Sequence, residues 1–327
     1  MTKTIDVLGL GNAIVDILAH ADDSFLKDHS LEKGSMTLID ADQAINLYND
    51  MSNATEASGG SAANTIAGIA SLGGKTEFIG KISNDQLGDI FRHDLKALGV
   101  QFDTPAQEGG DPTARSFILV TPDAERTMNT YLGACQNLTK GDITEEQIAN
   151  AKVVYLEGYL WDPAEAKAAF KFAMETAKKH NTKVALTLSD SFCVDRYRDE
   201  FVDLVENHVD ILFANEAEIT SLYQVDNFDD AVAKLKGHVE TAALTRSEKG
   251  CHILHNLSEV TVDAITTKVV DTTGAGDLFA AGFLFGYTQD KDMETCGKYG
   301  VICAAEIISH MGARPEQSLK NFVADKL

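Results

Sequence analysis

Long apolar runs are missing from this sequence. No stretch of about 18 apolar residues occurs, so the sequence does not predict a transmembrane helix. The first residues also lack the order of positive charge, apolar run and cleavage site that marks a secretory signal. We therefore expect a cytoplasmic protein that does not bind membranes.

Cysteine is scarce, and basic residues are outnumbered. The five cysteines are scattered and form no Cys-x-x-Cys pair, which predicts reduced, mostly buried thiols and neither a disulfide framework nor a zinc site. Lys and Arg number 28 against 50 Asp and Glu, giving a formal net charge of -22 at pH 7. Such a surface repels polyanions, so we expect a small-molecule partner and no nucleic acid, in a monomer or a homodimer.

The order of predicted elements indicates an α/β fold. From residue 152 onward, apolar strands at 153–156, 184–188, 211–214 and 242–245 alternate with helices. This order predicts a mainly parallel sheet covered by helices on both faces, with ligands at the carboxyl ends of its strands.

A second, smaller sheet is predicted from segments that interrupt this order. Two short strands within 14–39 and a hairpin of strands at 114–120 and 126–132 would form it. We assign 1–12, 41–110 and 135–327 to the core, and 13–40 and 111–134 to a small β lid. Arg126 is a solvated edge charge, or a phosphate clamp if the lid folds over an anion site.

The most informative stretch runs from Asp271 to Asp277, Asp-Thr-Thr-Gly-Ala-Gly-Asp, directly before an apolar helix. Glycines and unpaired N–H groups at a helix start make an anion site. An Asp at such a position is most often a simple helix cap. The glycines before Asp277 favour a different role, in which its carboxylate takes a proton from a hydroxyl that attacks a phosphoryl group.

Three further polar groups allow two interpretations each. Asn12 and Asp16 follow the first strand and could bind sugar hydroxyls, although a turn-forming Asn and a solvated Asp explain the pattern equally well. Gly59 and Gly60 open a helix of small residues whose first turn carries Asn64. A ligand lying against the backbone would explain both features, whereas a tight turn into a close-packed helix explains the glycines but gives Asn64 no role. At residues 215–218, Asn-x-x-Glu suits water-mediated Mg²⁺ binding and, equally, a capping box.

The stretches 59–64 and 271–277 resemble the two signatures of the ribokinase-like (PfkB) family of small-molecule kinases. They occur in the order typical of the family, and the similarity extends over essentially the whole chain. Within the family, segments 11–16, 186–192 and 209–218 are similar to those of adenosine kinases. The resemblance implies a three-layer α/β/α core with a β-sheet lid, ATP and Mg²⁺ as cofactors, and it allows a monovalent cation.

The resemblance also implies residue roles. The catalytic set is Asp277 as base, Gly274, Ala275 and Gly276 as anion hole, and Arg126. The substrate set is Asn12, Asp16, Met36, Leu38, Gly59, Gly60, Asn64, Leu132 and Phe192. The nucleotide set is Asn215, Thr245 and Gly250 together with Gly274 and Gly276, and Mg²⁺ would be bound through water by Asn215 and Glu218. Ser247 departs from the family, which usually has Gly there.

The function expected from these roles is transfer of phosphate from ATP to the 5′-hydroxyl of a nucleoside, adenosine first. The apolar character of Ile14, Met36, Leu38 and Phe192 favours a flat base as the far end of the substrate. The alternative is a sugar kinase of the same family, acting on ribose, fructose or a keto-deoxy sugar acid. A nucleotide-binding regulator without catalysis is disfavoured by the intact Asp277 and glycine stretch, and a dinucleotide-dependent oxidoreductase by Ile14, where a third glycine would be needed.

Overall fold

The computed structural model of the protein describes residues 3–123 and 125–327, which form two sheets and the helices that cover them. The strands are β1 (Ile5–Leu10), β2 (Ile14–His20), β3 (Met36–Leu38), β4 (Thr55–Ser58), β5 (Thr76–Ile79), β6 (Ala114–Val120), β7 (Arg126–Tyr131), β8 (Ala151–Glu157), β9 (Lys183–Thr187), β10 (Ile211–Asn215), β11 (Thr241–Thr245), β12 (Cys251–His255) and β13 (Ser258–Val262). The α-helices are α1 (Asp23–Asp28), α2 (Ala41–Asp50), α3 (Ser61–Leu72), α4 (Gln86–Ala97), α5 (Glu145–Asn150), α6 (Ala164–Lys179), α7 (Ser191–Arg196), α8 (Arg198–Asn207), α9 (Glu216–Tyr223), α10 (Phe228–Leu235), α11 (Ala275–Thr288), α12 (Met293–Ile307) and α13 (Leu319–Ala324).

The large sheet has eight strands in the order β13-β12-β11-β10-β9-β8-β1-β5. The six strands from β11 to β5 are parallel, and only β12 and β13 at one edge run antiparallel. The prediction of a mainly parallel sheet is confirmed. All six parallel strands therefore end at the same edge of the sheet.

Helices cover both faces of the large sheet because successive strand residues point to opposite sides. On β1, Leu8 belongs to a buried cluster with Phe170 of α6 and Phe201 of α8. Its neighbour Val7 belongs to a second cluster with Ile66 of α3 and Phe283 of α11. The core is thus the expected three-layer α/β/α arrangement, with α3 and α11 on the same face.

The small sheet has five strands in the order β3-β7-β6-β2-β4. Helices α1 and α2 cover one face, where Leu26 and Leu47 pack with Phe117 and Tyr131. Helix α1 was not predicted from the sequence; it begins where the Asp22 carboxylate accepts a hydrogen bond from the amide of Phe25 at 2.9 Å.

The strand β4 was also missed, and its segment lies within the range 41–110 that we assigned to the core. Its sequence, Thr-Glu-Ala-Ser, lacks the apolar alternation that identifies a strand. It forms because it pairs antiparallel with β2. The small sheet therefore continues directly into α3, which begins at Ser61.

Two expectations from composition can be compared with the structure. The five cysteines are free and buried, as predicted. Among the described residues, none of the helices has the length and apolar character needed to span a membrane.

Candidate active site

Polar groups collect at the edge where the parallel strands end. Asn12 follows β1, Glu157 ends β8, Asn215 ends β10 and Thr245 ends β11. This is the edge at which parallel α/β sheets bind ligands.

Asp277 lies in the first turn of α11, against the first turn of α3. Its Oδ1 accepts a hydrogen bond from Ser61 Oγ at 2.6 Å, and its Oδ2 accepts one from Asn64 Nδ2 at 2.9 Å. Burial raises the pKa of Asp277, and the bonds from Ser61 and Asn64 oppose that rise. The carboxylate is therefore held in one orientation and has a raised proton affinity, as a general base requires.

The turn before α11 has the features of an anion site. Gly274 caps the helix in the left-handed conformation with φ 77°, which favours glycine. A Cβ added at Gly276 would meet only open space, so packing within the protein does not require a glycine there. The N–H groups of a helix's first turn have no acceptor within the helix. The amide of Ala275 donates to the carbonyl of Thr272 at 3.2 Å, so the amides of Gly276 and Asp277 are the ones placed to face an anion.

Arg126, at the start of β7, reaches the same turn from the small sheet. Its Nη1 forms an ion pair with the buried carboxylate of Asp271 and donates a hydrogen bond to Thr273 Oγ1. Asp271 also accepts bonds from the amides of Thr273 at 2.6 Å and Gly312 at 2.8 Å. The structure thus brings a cation of the small sheet to the glycine turn of the core.

Asp16, on β2, lies beside the turn formed by Gly59 and Gly60. A side chain at Gly59 would overlap the Asp16 carboxylate, and Gly60 has φ 87° directly against the carbonyl oxygen of Asn12. Burial raises the pKa of Asp16 to about 7; Arg314 opposes this rise, and Asp277 and Asp271 add to it. The structure brings Asn12, Asp16, the two glycines and Asn64 into one cluster with Asp277.

Glu157 is a buried residue of this cluster that the sequence analysis missed. Its Oε1 accepts a hydrogen bond from the amide of Asn12, and its Oε2 accepts one from the amide of Ala62, each at 2.7 Å. Burial raises the pKa of Glu157 to about 7 against these two bonds. An acidic residue directly after the apolar strand predicted at 153–156 was the available signal. Arg314 was missed as well, and no local pattern points to it.

The face of the small sheet opposite α1 and α2 is the one that carries Asp16. Strand register places Asp16 beside Ser116, Ser116 beside Thr130, and Thr130 beside Leu38. Residues paired in this way share a face of the sheet. Ser116 Oγ and Thr130 Oγ1 lie 2.8 Å apart in a buried hydrogen bond. This hydroxyl pair is a second feature that the sequence analysis missed.

The predicted apolar substrate residues have different surroundings. Met36 and Leu38 lie on the edge strand β3, share the face of Asp16 and Thr130, and are 42% and 46% exposed. Leu132 is half-buried just after β7. Phe192, the second residue of α7, is 77% exposed, so it is largely free of packing contacts. The roles of Leu132 and Phe192 stay predictions.

Asn215 and Glu218 form the capping box of α9. Asn215 Oδ1 accepts from the amide of Glu218 at 2.8 Å, and the Glu218 carboxylate accepts from both nitrogens of Asn215. Glu218 is buried, which raises its pKa to about 7. No group of three or more acidic, His or Cys side chains suited to a metal occurs among the described residues. One carboxylate and one amide fit Mg²⁺ held through water and phosphate, and the capping role is compatible with it.

A cleft of about 490 Å³ lies beside the ends of β10 and β11. Its lining includes the predicted nucleotide residues Asn215 and Thr245. Gly250 lies outside this lining. It is buried against the backbone of Val262–Ala264, with φ 78°, and its amide donates to the carbonyl of Ser247 at 3.0 Å. A contact of Gly250 with nucleotide stays a prediction.

Ser247 has φ 50°, the left-handed conformation that the glycine usual in the family would adopt without strain. We expect Ser247→Gly to raise the free energy of unfolding by up to about 1 kcal/mol, because the strain of a side chain there exceeds the added flexibility of the unfolded chain. Denaturant titration measures the free energy of unfolding of each variant. Ser247→Ala keeps the strain and should give no such gain; equal stability of both variants would contradict the argument.

The three-layer α/β/α fold, with a buried carboxylate beside a glycine turn at the strand ends, defines a small-molecule kinase. Comparison with known proteins leads to the same class. Residues 34–319 match the model of the pfkB family carbohydrate kinases. The chain belongs to this family. It is a phosphotransferase with an alcohol group as acceptor, and it acts on a small-molecule nucleoside or sugar.

Two solved structures are similar over nearly the whole chain. One is a probable sugar kinase from Rhizobium etli, with 51% identity and a TM-score of 0.94, covering 100% of this chain and 99% of the other. The second is adenosine kinase from Sinorhizobium meliloti, with 51% identity and a TM-score of 0.93, covering 99% and 100%. A curated relative, the 5-dehydro-2-deoxygluconokinase of Bacillus subtilis, is 30% identical and covers 77% of this chain and 80% of its own length.

Proposed function

We propose that this protein is an adenosine kinase that transfers the γ-phosphoryl group of ATP to the 5′-hydroxyl of adenosine. The observation that carries the proposal is the position of the Asp277 carboxylate. It is held by Ser61 and Asn64 at the start of α11, beside the glycine turn. Asp16 and the exposed apolar residues of β3 belong to the sheet face that would contact the nucleoside.

The chemistry assigns one task to each group. Asp277 accepts the proton of the 5′-hydroxyl as its oxygen forms a bond to the γ-phosphorus. The bond from that phosphorus to the bridging oxygen of ADP breaks, so ADP and adenosine 5′-phosphate are the products. The amides at Gly274–Gly276 and the Arg126 guanidinium stabilise the charge on the transferred group. When bound through Asn215 and Glu218, Mg²⁺ supplies further neutralisation of the phosphate oxygens.

Two observations support a nucleoside over a sugar. Met36 and Leu38 present apolar side chains, roughly half exposed, on the sheet face of Asp16, which suits a flat base. In addition, one of the two structures at 51% identity is of an adenosine kinase. A sugar kinase is the second candidate, because the Ser116–Thr130 hydroxyl pair on the same face suits a polyol, and the other structure at 51% identity is of a probable sugar kinase.

A substrate panel tests the proposal. ADP release is measured with ATP, Mg²⁺ and, separately, adenosine, other nucleosides, ribose, fructose and keto-deoxy sugar acids. We expect adenosine to have the highest kcat/KM and to raise the thermal midpoint, because only ligands of the native state stabilise it. Turnover of a sugar with no turnover of adenosine would replace the proposal with the second candidate.

Asp16→Ala tests the ribose contact. Leaving ribose hydroxyls without their acceptor should weaken nucleoside binding by about 1–3 kcal/mol, while the KM for ATP changes little. In the unchanged protein, nucleoside affinity should fall as the pH drops below about 7, because Asp16, whose pKa is raised to about 7, then loses its charge. Both effects are measured by titration calorimetry.

Asp23→Ala is the matched control for this variant. Asp23 is an exposed carboxylate of helix α1, which covers the small sheet, and it is paired with Lys33 at 2.7 Å. The Asp23→Ala substitution should leave the affinities for nucleoside and for ATP unchanged. Equal losses of nucleoside and ATP affinity in Asp16→Ala would show that Asp16 is structural.

A further inference from the structure

Arg314, in the segment between α12 and α13, braces the backbone around the glycine pair. Its Nε donates a hydrogen bond to the carbonyl of Ser58 at 2.9 Å and its Nη2 one to Gly59 at 3.3 Å. A third bond, from Nη1, goes to the carbonyl of Ala63 at 2.9 Å. One planar guanidinium therefore joins the end of β4, the glycine turn and the first turn of α3.

The charge of the same guanidinium acts on the two carboxylates that the proposed function uses, Asp16 beside the Gly59 turn and Asp277 beside the first turn of α3. Asp16 and Asp277, together with Asp94, stabilise its protonated form, although burial lowers the pKa of Arg314 to about 10. Its charge in turn opposes the effect of burial, which raises the pKa of both Asp16 and Asp277. Three of the five guanidinium N–H groups are occupied by carbonyls, so these bonds fix where the charge lies.

We propose that Arg314 is a positioning residue that fixes the Gly59–Gly60 turn beneath the substrate and places a positive charge near Asp16 and Asp277. The inference rests on the proposed function, because it assigns Arg314 to act through those two carboxylates. Arg314 is thereby assigned two contributions: its fork of donors holds the glycine turn, and its charge acts on the two carboxylates. A lysine keeps the charge without the fork, so the two contributions can be tested separately.

Other ionisable groups lie around Asp16, Asp277 and Arg314 and also influence the titration of the two carboxylates. They are Asp94, Arg126, Tyr155, Glu157, Tyr159, Glu218 and Asp271. Burial keeps the two tyrosines neutral by raising their pKa, so the groups that can carry negative charge are Asp94, Glu157, Glu218 and Asp271. Removal of Arg314 leaves these carboxyl groups with Arg126 as the one cation among the groups named. The proton affinity of Asp16 and Asp277 should then rise.

Two variants separate the geometric contribution of Arg314 from its electrostatic contribution. Arg314→Gln removes the charge, so the acid limb of the kcat/KM profile should move to higher pH by roughly one unit or more. Arg314→Lys keeps the charge but lacks the fork, so its acid limb should stay in place. Its KM for the acceptor substrate should rise roughly tenfold through the loosened turn, with the KM for ATP nearly unchanged.

Arg92 offers a matched control. It too braces backbone, donating to the carbonyls of Phe102 at 3.2 Å and Thr104 at 2.9 Å, but it does not contribute to the charge environment of Asp16 or Asp277. Arg92→Gln and Arg92→Lys should lower the thermal midpoint without moving the acid limb.

The outcomes decide between the inferences. A wild-type protein without activity on any nucleoside or sugar would overturn the proposed function itself. An active wild type whose Arg314→Gln variant keeps the acid limb would overturn the electrostatic part alone. If Arg314→Gln does not fold, Arg314→Lys tests the positioning role. An unchanged KM for the acceptor substrate in Arg314→Lys would overturn that role.

Discussion

Asp277→Asn is expected to lower kcat by roughly 10²–10⁴-fold, the range for loss of a general base. The fold should persist because an asparagine fits the same partners. Its oxygen can accept from Asn64 Nδ2, and its amide can donate to Ser61 Oγ, since a hydroxyl both donates and accepts. ATP binding should be nearly unchanged. The measurements are kcat from ADP release, and ATP affinity from calorimetry.

Asp199→Asn is the control for this variant. Asp199 is likewise a carboxylate in the first turn of a helix, α8, but it is exposed. It should retain full activity. If Asp277→Asn kept a kcat near that of the wild type, Asp277 would be a helix cap and not the base.

Arg126→Met is expected to lower kcat by roughly 10²–10³-fold, the loss typical for one group that stabilises transition-state charge. In the structure, Arg126 already contacts Asp271 and Thr273 of the glycine turn, so little rearrangement separates this position from a bound phosphate. Nucleoside affinity should change less than kcat. Arg126→Lys should recover part of the rate, because an ammonium supplies charge but not the planar fork.

The same variant tests whether the small sheet acts as a lid. Adenosine should slow hydrogen exchange in segments 13–40 and 111–134 of the wild type, and less so in Arg126→Met. Arg196→Met, which breaks the ion pair with Asp162 at 2.9 Å on the core, is the control and should leave both readouts unchanged. Unaltered exchange of both segments with adenosine would rule out the lid.

Much of the core was predictable because its signals are local. The apolar strands at 153–156 and 211–214 and the glycine stretch before α11 each contain, within a few residues, what determines their conformation. The parallel order then follows from the alternation of strands and helices. The carboxyl ends of the parallel strands then lie at one edge, and the structure has Asn12, Asn215 and Thr245 there.

The small sheet was predicted less completely. Its strands β2, β6 and β7 were recognised from their alternation, whereas β4 depends on pairing with β2 and has little strand pattern of its own. Helix α1, six residues long, is too short to show a clear helical period. Strand β4 thus owes its conformation to a neighbouring strand, and α1 has a local cap at Asp22 but too few residues for its period to be recognised.

The sequence by itself determined the chemistry of the site: a carboxylate after a glycine turn at a helix start, and a second glycine pair before a helix carrying Asn64. Only the tertiary structure decided what holds these groups together. Glu157 binds amides that lie 145 and 95 residues away, and Arg314 binds carbonyls more than 250 residues away. The reason is physical, because a buried charge must find its partners in space, and the chain brings them together only when both sheets have formed.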